Sequence, residues 1–118
     1  MYYSDSFGET VQAKKRKRNV FGEEVTTWSR EVMRCNSLEA EAGTNGPQGG
    51  DWGHGGRVYL RLADLSGTDW IIRVDGKEIR GLDGDGAEIE LILGGDSELG
   101  TIKDALRWMI SVLEAQTE

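Results

Sequence analysis

The apolar residues of this chain change period once, and that change decides the class of fold. Leu38, Ala40 and Ala42 alternate with Glu39 and Glu41. Val58, Leu60 and Leu62 alternate with Tyr59, Arg61 and Ala63, and the same period recurs at Trp70, Ile72 and Val74 and at Ile89, Leu91 and Leu93. A period of two belongs to strands. From Leu99 the apolar positions become Ile102, Leu106, Met109, Ile110 and Leu113. That is one stripe of a helix of roughly four to five turns. Turn signals separate the strands: "LSGTD", Asp75-Gly76 as a two-residue hairpin turn, and "GLDGDG". "GGDSE" opens the helix, with Asp96 or Ser97 expected to cap it and Glu98 to complement its positive end. Strands followed by one helix predict an α+β fold. We expect a strongly twisted antiparallel β-meander of about 4–6 strands with the C-terminal helix packed on one face. Leu106, in the middle of the stripe, is expected to be buried against the sheet.

At 118 residues the chain is long enough for one domain. Residues 25–118 are read as that domain. Residues 1–24 lack periodicity and are read as a flexible basic and polar arm, whose "KKRKR" run is taken as solvated. The net charge is -7; five cations against four anions in residues 1–24 leave -8 for the rest. An acidic body disfavours general binding to nucleic-acid phosphates and suits a basic protein partner. There is no apolar run of spanning length and no secretory h-region, so the expectation is a protein of the cytoplasm without a membrane role. A single Cys and a single His exclude a structural zinc site and an internal disulfide. No metal or cofactor is expected. "DGDG" at 83–86 with Glu88 reads as a hairpin turn rather than a cation site. No GxSxG elbow occurs, and Cys35 reads as a small buried hydrophobe rather than a nucleophile paired with His54. Trp28 and Trp70 read as core. Trp108 falls off the main helical stripe and, if exposed, marks an interface, such as one with a second copy of the chain.

The stretch "EAGTNGPQGGDWGHGGRVY" holds seven of the 17 glycines, the only proline and the only histidine. It lacks the Lys-Ser/Thr of a phosphate-binding P-loop. It also precedes a strand, where a dinucleotide fingerprint precedes a helix. Ordering so many glycines is entropically costly, which points to a built site. The candidate ligand- or partner-binding residues are Asn45, Asp51, Trp52, His54 and Arg57. Asp51 and His54 are spaced to share a hydrogen bond, Arg57 to hold a carboxylate or phosphate, and Trp52 to present a contact surface. A second "GGD", at Gly94–Asp96, is placed to meet the first at one sheet edge, which adds Asp96. The alternative is that the loop is structural, with His54 tying it down.

"GTNG", "GGDWGHGGR" and "GGDSE", in that order with strands between, resemble small uncharacterised proteins encoded by bacteriophages. The resemblance covers roughly 40–118, leaves the arm outside and carries over no catalytic residue. What it implies is context: small acidic phage proteins are often inhibitors of host defence, as anti-CRISPR proteins or as binders that sequester a nucleotide signal. The expectation is therefore a non-enzymatic binding protein that inhibits a host defence complex by protein–protein contact, in the cytoplasm of a bacterial host. One alternative is a sequestering protein for a small phosphate-bearing or nucleotide ligand at the loop. Another is a minimal hydrolase with His54 as general base and Asp51 orienting it.

Overall fold

The basic run is a strand. The computed structural model describes residues 2–4, 10–66, 70–80 and 86–117. The turns expected around Gly67–Asp69 and Gly81–Asp85 lie outside the described residues. In chain order the elements are β1 (Tyr2–Ser4), β2 (Thr10–Gln12), β3 (Lys14–Val20), β4 (Glu23–Met33), β5 (Ser37–Thr44), β6 (Val58–Asp64), β7 (Ile72–Val74), β8 (Lys77–Arg80), β9 (Glu88–Leu93) and α1 (Asp96–Gln116). The central sheet has the order β3-β4-β5-β6-β9, while β1–β2 and β7–β8 pair separately. Every neighbouring pair is antiparallel. This is the expected α+β meander with one C-terminal helix.

The expectation of an arm over 1–24 is corrected for residues 14–24. β3 pairs with β4 along its whole length, from Lys14↔Ser29 to Val20↔Glu23. Phe21-Gly22 forms the two-residue turn, both at positive φ (48° and 86°), the geometry that matches strand twist in a tight hairpin. The Asn19 side chain accepts from the Gly22 amide at 3.0 Å. Asp75-Gly76 repeats the device in the β7–β8 hairpin, with φ of 53° and 76°.

The sheet curls until its edges approach one another. Val20 at the end of β3 packs with Val25, Tyr59 and Ile92, and the Arg18 guanidinium lies 4.8 Å from the Tyr59 ring centre. The result is an open half-barrel. Its concave face sets buried charged residues beside this small apolar cluster. Glu41 is 3% exposed and accepts from Arg18 (2.5 and 2.8 Å), Thr27 Oγ1 (2.5 Å) and Arg61 Nε (2.9 Å). Arg61 also pairs with Glu39 and Glu88. A carboxylate taken out of water needs this many donors to stay ionised. Burial pushes the Glu41 carboxyl up, but the hydrogen bonds from Arg18 and Thr27 outweigh it and the net shift is downward. The same contact with Glu41 raises Arg18.

The convex face carries the apolar set: Trp28, Ala42, Leu60, Leu62, Ile89 and Leu91. α1 runs over it, and Leu99, Ile102 and Leu106 line the same clefts, of about 460 and 580 Å³. Leu106 is 37% exposed, so the helix stands off the sheet and the expected burial of Leu106 is corrected. Trp108, off the stripe as expected, is 67% exposed. The helix spans 21 residues, longer than its stripe suggested. Trp28 and Trp70 are half-buried.

Candidate functional site

The loop between β5 and β6 is closed at its base by Asn45. Its side-chain amide donates to the Gly55 carbonyl at 2.8 Å and its Oδ1 accepts from the Arg57 amide at 2.9 Å. Thr44 Oγ1 donates to the Arg57 carbonyl at 2.9 Å. An Asn placed here substitutes for two missing ladder bonds and fixes where the loop leaves the sheet.

At the far side the loop is tied to the helix. Asp96 accepts from the amides of Gln48 (2.8 Å) and Gly49 (3.0 Å), and its own amide donates to the Gly50 carbonyl at 2.8 Å. These bonds, the Gln48 amide foremost, hold the Asp96 carboxyl below its ordinary range. The helix starts at Gly95 without a side-chain cap. The capping role expected of Asp96 or Ser97 is thus corrected: the carboxylate serves the loop instead. The two Gly-Gly-Asp segments do meet, and Asp51, His54 and Asp96 lie together as the sequence suggested.

Between these ties Asp51 opens a short 3₁₀ turn, Trp52–His54. It accepts from the Gly53 amide at 3.0 Å and lies 3.1 Å from His54 Nδ1. The contact with His54, then that with Gly53, lowers the Asp51 carboxyl. Both side chains face solvent. Gly50 lets the imidazole lie against the main chain, where a Cβ would come within 2.6 Å of Nδ1.

Arg57 differs from its expected role. It is buried, and its guanidinium donates to four main-chain carbonyls: Val20 (3.1 Å), Phe21 (3.2 Å), Trp52 (3.1 Å) and Gly56 (2.8 Å). Its plane also lies 3.8 Å from the Trp52 ring centre. The residue read as a grip for a ligand anion instead clamps the loop to the end of β3. Trp52 lies between this cation and Gly94, where a Cβ would overlap the indole. The Phe21 ring meets Trp52 edge-on, 5.6 Å between centres. Phe21 is 68% and Trp52 42% exposed.

The assembled surface is therefore an aromatic pair, Phe21 and Trp52, bordered by the Asp51–His54 pair. Sequence reasoning missed Phe21. Its signal was "VFGE", a Phe-Gly turn between a run of alternating side chains and Val25, and the charge run beside it drew the reading towards a tail. Cys35, expected as a small buried hydrophobe, is instead exposed in the turn between β4 and β5. A strand length, roughly 25 Å, separates that turn from the His54 loop, so the two form no dyad. Among the described residues no group of three or more His, Cys, Asp or Glu is placed to hold a metal ion, and no helix is long and apolar enough to cross a membrane. Comparison with known proteins gives no match to a family model, a curated protein or a solved structure.

Proposed function

We propose that this chain is a non-enzymatic binding protein that acts by protein–protein contact through the Phe21–Trp52 surface. The observation that carries this reading is the bracing of an exposed aromatic pair by a buried arginine. Aromatic side chains that are exposed yet fixed in one arrangement lose little entropy on docking, which is the character of interface anchors. The polar groups of the loop support the same reading: Asn45, Arg57 and Asp96 hold the loop in shape, and Asp51 and His54 form a polar rim. The resemblance to phage-encoded proteins directs the choice of partner to a host defence complex in the bacterial cytoplasm.

The test is capture of a purified CRISPR effector complex by the immobilised chain, with inhibition of target cleavage as readout. Trp52→Ala and Phe21→Ala are expected to lose at least tenfold in inhibition while still unfolding cooperatively above the assay temperature. A nucleotide retained in the native mass spectrum, or hydrolytic turnover abolished by His54→Ala, would overturn the reading in favour of ligand sequestration or catalysis.

A further inference from the structure

We propose that the cleft between the two edge strands, β3 and β9, is a strand-acceptor site that takes an extended segment of a partner protein. The inference rests on the contact reading above and names its mode.

The argument begins with strand parity. The sheet is a meander of five antiparallel strands, so its two edges, β3 and β9, point the same way. Direct closure would require a parallel pair in an otherwise antiparallel barrel. A sixth strand running opposite to both would pair antiparallel on each side and remove both edges.

Next comes the direction of the main-chain groups. The Phe21-Gly22 turn makes Val20 and Glu23 a hydrogen-bonded pair, and bonding alternates along an antiparallel ladder. Arg18 and Arg16 therefore bond to β4, and the amides and carbonyls of Lys15, Lys17 and Asn19 point outward. On the other edge the Asp64 amide donates to the Ala87 carbonyl. By the same alternation Ile89, Leu91 and Leu93 bond to β6, and Glu88, Glu90 and Ile92 point outward. Among the described residues neither outer edge has a partner strand.

These outward positions converge on one cavity. A cleft of about 430 Å³ is lined by Lys17 and Asn19 from β3 and by Glu90 and Ile92 from β9. The Lys17 ammonium pairs with Glu24, and the Asn19 side-chain Oδ1 accepts from the Gly22 amide. What these two residues offer the cleft is main chain. Val20, Ile92 and the ring of Tyr59 make an apolar floor, with Arg18 and the Glu90 carboxylate, which accepts from the Tyr59 hydroxyl, beside it. Donors and acceptors on both walls over an apolar floor fit an extended peptide with an apolar side chain pointing inward. Phe21 borders both this cleft and the aromatic pair, so a segment lying in the cleft runs onto Phe21 and Trp52.

The test uses a display library of random linear peptides about ten residues long, selected on the full chain. The best binder is synthesised. Lys17→Pro removes an outward amide without touching the β3–β4 ladder, and Lys17→Ala keeps it. Affinity for the peptide should fall at least tenfold for Lys17→Pro and stay within about twofold for Lys17→Ala, since a tenfold change corresponds to one or two lost hydrogen bonds. If Lys17→Pro does not fold, N-methylation of successive peptide amides on the wild-type chain reads the same property. Because the inserted strand bonds to β3 and β9 through successive residues in turn, N-methylation at each position within the cleft should weaken binding, and positions outside it should not. Binding that requires Trp52 but ignores Lys17→Pro and N-methylation overturns the strand-acceptor site and leaves the contact surface standing. Recovery of no peptide, or of peptides indifferent to Trp52 as well, overturns the site along with the reading on which it rests.

Discussion

The guanidinium of Arg57 lies 3.8 Å from the centre of the Trp52 ring while one of its nitrogens donates to the Trp52 carbonyl. One side chain thus fixes both the ring and the backbone of the same residue. The same cation reaches across to the carbonyls of Val20 and Phe21 at the end of β3. The first hairpin and the glycine loop are one unit because of it.

Arg57→Ala is expected to lower unfolding free energy by about 2–4 kcal/mol, because it leaves four carbonyls without their charged donor. Arg57→Lys should recover less than half of this, since an ammonium lacks the planar fork that serves several carbonyls at once. Denaturant midpoints at constant slope check both. A wild-type midpoint for Arg57→Ala would show that the clamp is incidental.

Gly94→Ala places a methyl group where the indole of Trp52 lies. The ring must leave its place against Arg57, and overpacking of this kind costs about 1–3 kcal/mol. The expected signature is a red shift of tryptophan emission with a lowered melting temperature. Unchanged emission and melting would contradict the packing described.

Removing residues 1–20 takes away β3, the Val20 contact with Tyr59 and the Arg18 bonds to Glu41. The truncated chain should lose cooperative unfolding, as an edge strand that closes a core differs from a tail. A sharp transition at the wild-type temperature would restore the view of this segment as a detachable arm.

That segment also shows where the sequence stopped being legible. The alternation at Val58–Leu62 and at Ile89–Leu93 gave the strands, and the shift of period at Leu99 gave the helix. What misled was the assumption that charge means solvent. Arg16, Arg18, Glu39, Glu41 and Arg61 alternate as regularly as the leucines, yet their face is the one the sheet curls around. No single strand reveals this, because each charge is matched on another strand: Arg16 and Arg18 reach Glu39 and Glu41 two strands away, and Arg61 meets them from the next strand. The loop was legible in place but less so in role. Asp51 and His54 were paired as their spacing suggested, whereas the targets of Arg57 and Asp96 are main-chain atoms that no spacing rule identifies. The stand-off of α1 was equally hidden, since a helical stripe states which side is apolar and not how closely it is approached.

Glu41 makes stability depend on pH in acid. Its carboxyl is held below the ordinary range in the folded chain. Its contribution is therefore complete above the unfolded value, about 4.3, and is lost as pH falls through the lower folded value. Glu41→Gln should flatten this acid limb. At neutral pH it should be less stable by about 3–5 kcal/mol, since Arg18 and Arg61 then lack their shared anion. Unfolding curves between neutral and acid pH would reveal parallel limbs in the two proteins if Glu41 were not the group responsible.

The tie between Asp96 and the amides of Gln48 and Gly49 spans nearly half the chain. A ribosome makes these residues in order. When the glycine loop leaves the exit tunnel, the carboxylate that will hold it has yet to be translated. During that interval β3, β4 and β5 can pair, but the loop has only its base clip of Asn45 to wait for, and that too needs Arg57. The aromatic surface therefore matures last, after the first turn of α1 emerges, so a nascent chain displays its hairpins well before it displays the face through which it would act.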